Sequence, residues 1–241
     1  MLDCISVENM RESDRRTIEA ITPSLTLMHR AAMGVYLAHD WRAKTGIVTG
    51  SGNNGGDGWA LACILRQNGR ECAVLPLSDR LSPDGAHYAE KAKALGVPVI
   101  PFSPEAIRGC DTVVDCLLGT GFQGPVRDSY AAAIAAINES GSFVVSVDIN
   151  SGLNGDTGEG ETAVRSDLTV TVGFLKNGLV TASAARYMKR LVVADIGIAL
   201  VREENKVVSI SEWRPEYEDS GRFLRQPPYL DMNVIDVRRC E

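Results

Sequence analysis

Three glycine-rich runs hold the residues whose types and spacing could do chemistry. The first is Gly50-Ser51-Gly52-Asn53-Asn54-Gly55-Gly56-Asp57-Gly58. Its glycines let the backbone turn and approach a ligand without a Cβ clash, and successive amide N–H groups leading into a helix N-terminus favour a phosphate. Gly50, Gly52 and Gly55 satisfy G-x-G-x-x-G, a pattern that a tight structural turn also produces. The adjacent Asn53 and Asn54 are not needed for a turn; their carbonyl acceptors and amide donors suit sugar hydroxyls or a cation. Asp57 could contact such a ligand or cap the following helix. The second run is Asp115-Cys116-Leu117-Leu118-Gly119-Thr120-Gly121-Phe122-Gln123-Gly124-Pro125. An aspartate inside an apolar strand is unfavourable unless it is paired or bound to metal. The plainer alternative is a glycine-rich crossover with a hydrogen-bonded aspartate. The third run is Asp148-Ile149-Asn150-Ser151-Gly152. A carboxylate at the carboxyl end of a strand can take or give a proton; a turn aspartate is the alternative. The glycine-rich segment that continues to Gly160 reads as a lid or ligand-edge loop.

These runs need elements that bring them together. Each follows a short apolar stretch, at 46–49, 112–118 and 143–149. Further strands are expected at 71–77, 97–101, 168–172 and 191–194. Helices are expected at 6–20, at 59–66, from Ser82-Pro83 to Gly96 and at 127–139. Another opens at Thr22-Pro23, with Leu25, Met28, Ala32 and Val35 at helical spacing. Uniformly apolar strands alternating with helices imply a parallel sheet covered on both faces. The expected fold is therefore α/β, a three-layer αβα Rossmann-like fold with a mostly parallel sheet. Ligands bind such sheets at the carboxyl ends of the strands, so all three runs should face one edge. The first two helices would cover one side of the core or a partner subunit. Residues 1–241 read as a single domain, with a core of about 5–200 and a C-terminal extension over 201–241. In that extension 206–210 is a candidate edge strand, and the stretch carrying Pro215, Pro227 and Pro228 has no clear period.

A chain of 241 residues is long enough for one α/β domain with a sizeable core. With 44% hydrophobic and 23% charged residues, disorder of the whole chain is excluded. The net charge of -6 argues against a nucleic-acid binder, which would show a basic face, but one loop can still bind a small anion. Cys4, Cys63, Cys72, Cys110, Cys116 and Cys240 form no C-x-x-C pair, so free thiols in a reducing, cytoplasmic setting are expected. His29, His39 and His87 are too scattered for a zinc site. The polar start has no secretory signal pattern, and no apolar run approaches the ~20 residues of a membrane helix.

The three runs, followed by Asp156-Thr157-Gly158, Ala163-Val164 and Val193-Ala194-Asp195-Ile196-Gly197, resemble in order the NAD(P)H-hydrate epimerase family, the YjeF N-terminal domain type, over about residues 5–200. The resemblance implies an isomerase, often a homodimer, that epimerises the R and S forms of hydrated NADH and NADPH (NADHX and NADPHX), a metabolite-repair reaction at carbon six of the nicotinamide ring. It implies that Asn53, Asn54, Gly55, Gly56, Asp57, Gly119, Thr120, Gly121, Phe122, Gln123, Gly124, Pro125 and Asp148 line the substrate site. It also implies a potassium ion held by the side chains of Asn54, Asp115 and Ser151, oxygen ligands that suit a hard cation. Two positions depart from the family pattern: Asn150 stands where proline is usual, and Lys176-Asn177-Gly178 where Lys-Pro-Gly is usual. Asn150 still permits a turn, and Lys176 keeps its charge as a possible phosphate partner. In some relatives the domain is fused to an ATP- or ADP-dependent dehydratase; here the dehydratase is expected as a separate protein.

The implied chemistry needs proton transfers to and from oxygen. Ring nitrogen can assist loss of the hydroxyl, with water returning on the other face, or the ring can open to an aldehyde and reclose. Asp148 is the candidate catalytic group, with potassium ordering the loops. A carboxylate in a dry site contributes about 100- to 10,000-fold. The alternative reading is a non-catalytic nucleotide-ligand or protein-binding module of the same fold. An NAD-dependent dehydrogenase, with Asp79 holding a ribose, lacks a recognisable substrate domain or hydride-transfer set.

Overall fold

Short apolar segments flanked by glycine and polar residues form the strands, and the central ones, at Thr45–Thr49 and Thr112–Cys116, are buried on both faces. In a computed structural model that describes residues 2–41, 44–207, 210–213 and 233–237, the central parallel strands are β2 (Thr45–Thr49), β3 (Cys72–Pro76), β4 (Thr112–Cys116), β5 (Phe143–Val147), β6 (Ser166–Val172) and β8 (Met188–Ala194). They lie in the order β3-β2-β4-β5-β6-β8, extended antiparallel by β11 (Val234–Val237) and β10 (Ile210–Trp213). A small second sheet joins β1 (Leu2–Ile5), β7 (Leu175–Lys176) and β9 (Asn205–Val207).

Side-chain alternation along the strands sorts the core into two layers. Ile47, Val74, Val114 and Val145 face one way, with residues of α2 (Ser24–Ala38), α3 (Asn53–Gln67) and α4 (Pro83–Ala94). Val48, Leu75, Val113 and Val144 face the other, with residues of α5 (Pro104–Ile107) and α6 (Asp128–Asn138). The fold is thus the three-layer αβα arrangement with a mostly parallel sheet. Helix α1 (Val7–Ala20) lies outside this pattern, capped by the Ser6 hydroxyl, which accepts from the Asn9 N–H. A short helix, α7 (Ala182–Ala185), follows β7.

The order has one reversal. From β2 the chain moves to β3 on one side and then returns to place β4 on the other. The loops leaving the carboxyl ends of β2 and β4 diverge there, which opens a crevice suited to a ligand.

Several boundaries differ from the sequence expectation. Helix α3 starts at Asn53, not near residue 59, because the glycines of the first run serve close packing. A Cβ on Gly55 would lie 2.1 Å from the Gly50 carbonyl oxygen, and one on Gly50 would lie 2.0 Å from that of Leu117. Residues 97–101 form only an isolated bridge, Val99 to Val74, since Pro98 and Pro101 cannot donate to a ladder. Strands β1, β7 and β11 and helices α5 and α7 have no counterpart in the sequence reading. The expected edge strand at 206–210 is divided between β9 and β10, with 208–209 outside the described residues; Pro215, Pro227, Pro228 and Cys240 also lie outside them. Among the described residues, all five cysteines are free and buried, and no helix is long and apolar enough to cross a membrane.

Candidate active site

A cavity of about 600 Å³ opens at this reversal, within the size range of small-ligand sites. Its lining comes from the loops after β2, β4 and β5, from α1 and α2, and from Lys176 on β7. Of the residues singled out in the sequence, Asn53, Asn54, Asp57, Gly119, Thr120, Gly121, Phe122, Gln123 and Asp148 line it. Gly55 and Gly56 do not; they sit buried against Gly50 and Met28. Gly124 and Pro125 instead line a neighbouring cavity of about 400 Å³ that shares Phe122 and Gln123 with the first. None of the three histidines lines either cavity.

Asp148 stands at the cavity floor. Its N–H still pairs with the Val170 carbonyl as an extension of β5, and Ile149 N–H then donates back to Val147 O across it. This three-residue turn puts Asp148 at φ 67°, the one positive φ of a non-glycine among the described residues. Such left-handed backbone is strained for a side chain and clusters at functional sites. One carboxylate oxygen accepts from the Lys176 ammonium at 2.5 Å and the other from the Thr120 N–H at 3.4 Å. Lys176 is only 1% exposed. Its other two protons go to Thr171 Oγ1 at 3.0 Å and Val172 O at 2.7 Å. An ammonium has three donors, so Lys176 has none left for a phosphate. That corrects the phosphate role the sequence suggested: Lys176 holds Asp148.

Asp57 sits within α3, whose N-cap is Gly52, so it is not the helix cap. Burial, first, and then the nearby Asp148 and Asp14 push its carboxyl well above the usual carboxylate range. Asp14, on α1, is raised in the same way by burial and by Asp148. The cavity therefore sets two carboxyls whose pKa is raised beside an ion-paired aspartate. Sequence reasoning missed Asp14 and Arg11. They share one helical face with Ile18, at spacings of three and four, but a polar helix face reads as ordinary solvated surface until its packing is known.

The three residues read as cation ligands come together around the Leu118 backbone. Asn54 Nδ2 donates to Leu118 O at 2.9 Å, and Leu118 N donates to Ser151 Oγ at 2.8 Å. Ser151 Oγ donates to Asp115 Oδ1. Asp115 is fully buried and takes its remaining hydrogen bonds from Ser151 N, Ser146 Oγ and Leu117 N, all neutral donors. Burial outweighs these bonds and raises its carboxyl above the usual range. Asn54 Oδ1 is a buried acceptor with no donor. The orphaned Asn54 oxygen, in one hydrogen-bonded cluster with Leu118, Ser151 and the buried Asp115 carboxyl, makes an all-oxygen set of the kind that suits a hard cation.

Asn150, the first departure from the family pattern, is fully buried. Its amide donates to Val164 O, Ser166 Oγ and Tyr187 O, and its carbonyl accepts from Thr169 Oγ1. The glycine-rich segment after it, expected as a lid or a ligand-edge loop, lies along the edge of the neighbouring cavity through Gly152, Asn154, Glu159 and Gly160, and it also braces α1 and the 177–180 turn. Asp156 Oδ1 accepts the Val7 N–H at the start of α1, and Gly178 N–H donates to Gly155 O.

The family model described as YjeF-related protein N-terminus matches residues 16–178. The NAD(P)H-hydrate epimerase of Limosilactobacillus fermentum is 39% identical over 199 residues, covering 79% of this chain and 95% of that protein. The NAD(P)H-hydrate epimerase of Rhodopirellula baltica is 38% identical over 207 residues, covering 81% and 85%. A bifunctional NAD(P)H-hydrate repair enzyme of Coxiella burnetii is 36% identical over 197 residues, and the match spans 40% of its length. In fold, the crystal structure of a yeast protein superposes with a TM-score of 0.70 at 19% identity, covering 85% of this chain and 97% of its own.

Proposed function

The chain belongs to the family of YjeF-related protein N-termini, and from that premise we propose that it is an isomerase interconverting the R and S epimers of hydrated NADH and NADPH. The names of the Limosilactobacillus and Rhodopirellula relatives state this activity. The observation that carries the reading here is Asp148, held in a left-handed turn and fixed by a saturated, buried lysine at the floor of the cavity.

The hydrate bears a hydroxyl on a carbon beside the ring nitrogen. A proton delivered to that oxygen lets it leave as water while the nitrogen lone pair fills the gap. Water then adds from the other face and returns the proton. The site needs a group that moves a proton at this oxygen, and the proposal assigns that role to Asp148, which lines the cavity. Asp57, whose carboxyl is pushed above the usual range by burial and by Asp148 and Asp14, faces the same cavity as a second carboxyl able to exchange a proton. Lys176 fixes the carboxylate, and the apolar side chains of Leu27, Met28, Ile196 and Ile198 in the lining limit water.

The proposal includes a potassium ion held by Asn54, Asp115 and Ser151, for which the orphaned Asn54 Oδ1 is the support. When bound, it would supply positive charge against Asp115 and hold the strand-end loops in register. A cytoplasmic location is supported by the free buried thiols. A homodimer belongs to the same proposal, as does a dehydratase acting on the same hydrates, for which the relatives named bifunctional NAD(P)H-hydrate repair enzymes are the support. The test is chiral chromatography of hydrated NADH with purified protein, against the spontaneous background. Acceleration supports the isomerase. Binding of the hydrate without acceleration selects the non-catalytic module instead.

A further inference from the structure

The charges of the cavity are separated by depth. Its acidic lining, Asp14, Asp57, Asp84 and Asp148, is half-buried, and the buried Lys176 spends all three protons inside the wall. The other two cations of the lining, Arg11 and Arg127, are exposed at the rim. They come from different elements. Arg11 lies on α1, and its guanidinium donates to the Thr120 carbonyl at 3.0 Å, which fixes it against the second glycine run. Arg127 is the residue just before α6 and lies over the Tyr130 ring, 5.9 Å from its centroid. Beside them are Gly52 and Asn53, where α3 begins without any side-chain cap.

A dinucleotide carries its negative charge in the middle, on the pyrophosphate, and its reactive ring at one end. Seating the pyrophosphate against the Asp148 carboxylate is unfavourable, because like charges in a partly dry site repel, and Lys176 has no proton left to offer it there. Guanidinium groups are suited to phosphate oxygens, through planar paired donors. We propose that Arg11 and Arg127 hold the pyrophosphate of the hydrated dinucleotide at the rim and so direct the hydrated ring inward to Asp148. This rests on the function proposed above, and it assigns which way round the substrate enters.

The experiment measures KM and kcat of the full chain for hydrated NADH with Arg11→Gln, Arg127→Gln and the double variant, beside Arg11→Lys and Arg127→Lys. A lost charge-assisted contact predicts a KM rise of about tenfold or more per arginine, falling on KM more than on kcat. The lysine variants should recover part of that loss. Because α1 also leans on Thr120 through Arg11, a purely structural role would lower kcat equally in Arg11→Gln and Arg11→Lys, and that result would overturn the assignment. So would a double variant with the KM of the unchanged protein. Binding of inorganic pyrophosphate by calorimetry is a second readout that needs no turnover. Binding to the unchanged protein and not to the double variant supports the rim site; equal binding, or none to either, overturns it. Pyrophosphate held by the arginines in a protein that epimerises nothing would sink the functional reading and leave the anion site standing.

Discussion

Asp148 and Asp57 are both aspartates facing one cavity, and their surroundings give them different work. Asp148 is ion-paired with Lys176, whereas Asp57 is raised by burial and by neighbouring carboxylates, with Lys176 opposing. The groups acting on Asp57 are Asp148, Asp14, Lys176 and Asp84. A folded-state pKa above the ordinary 3.8 means that the native protein binds a proton that the unfolded chain releases. That contribution is fully present below pH 3.8 and is lost as pH rises through the elevated folded value. Asp57→Asn, which mimics the protonated form, should therefore stabilise the protein at neutral and alkaline pH and give no gain in acid; thermal melts across pH check this. At Asn150 the expected sign is opposite. Its side chain joins the segments at Val164 and Tyr187 to strand β6 at Ser166 and Thr169, so Asn150→Ala should destabilise by about 2 kcal/mol or more, through buried partners left unsatisfied. Denaturant titration measures it. The sequence marked Asn150 only as a departure from a family proline; its network depends on Ser166, Thr169 and Tyr187, which nothing local connects to it.

At the scale of elements, the crevice depends on how tightly the loops after β2 and β4 cross. Gly55 closes on Gly50, and Gly50 closes on Leu117, at distances that exclude a side chain. Gly55→Ala should therefore destabilise by at least about 2 kcal/mol through overpacking, with an accompanying fall in substrate affinity, read from melts and from KM. The strands β2, β4 and β5 were legible because each is a short apolar run leading into a loop that contains glycine, and the αβα layering followed from their alternation with helices. The start of α3 was not legible, since three glycines within six residues argue for a loop by propensity; tertiary packing against Thr49, Cys116 and Met28 overrides that preference. The pairing of Lys176 with Asp148 was hidden for a related reason. Lys176 reaches Asp148 across 28 residues through the pairing of β7 with β1, and neither short strand has a recognisable pattern.

For the whole molecule, a net charge of -6 coexists with a site for an anionic substrate because the charges are sorted by position. The carboxyls of the cavity lining are half-buried and its arginines exposed. The cluster of Asn54, Asp115 and Ser151 ties the loops after β2, β4 and β5 into one unit. If potassium completes it, melting in potassium should exceed melting in tetramethylammonium at equal ionic strength by about 1–3 kcal/mol, a few degrees in Tm for a chain of this size, and Asn54→Ala should abolish the difference. The motif order made this cluster legible, whereas the contribution of α1 to the cavity mouth emerges only once the Val7 N–H is seen to be held by Asp156. The most direct test of the central claim is the rate of R-to-S interconversion of hydrated NADH by the unchanged protein and by Asp148→Asn, with folding of both checked by circular dichroism. The account predicts acceleration over the spontaneous rate that falls by about 100- to 10,000-fold in the variant; a folded Asp148→Asn protein with undiminished activity would contradict it.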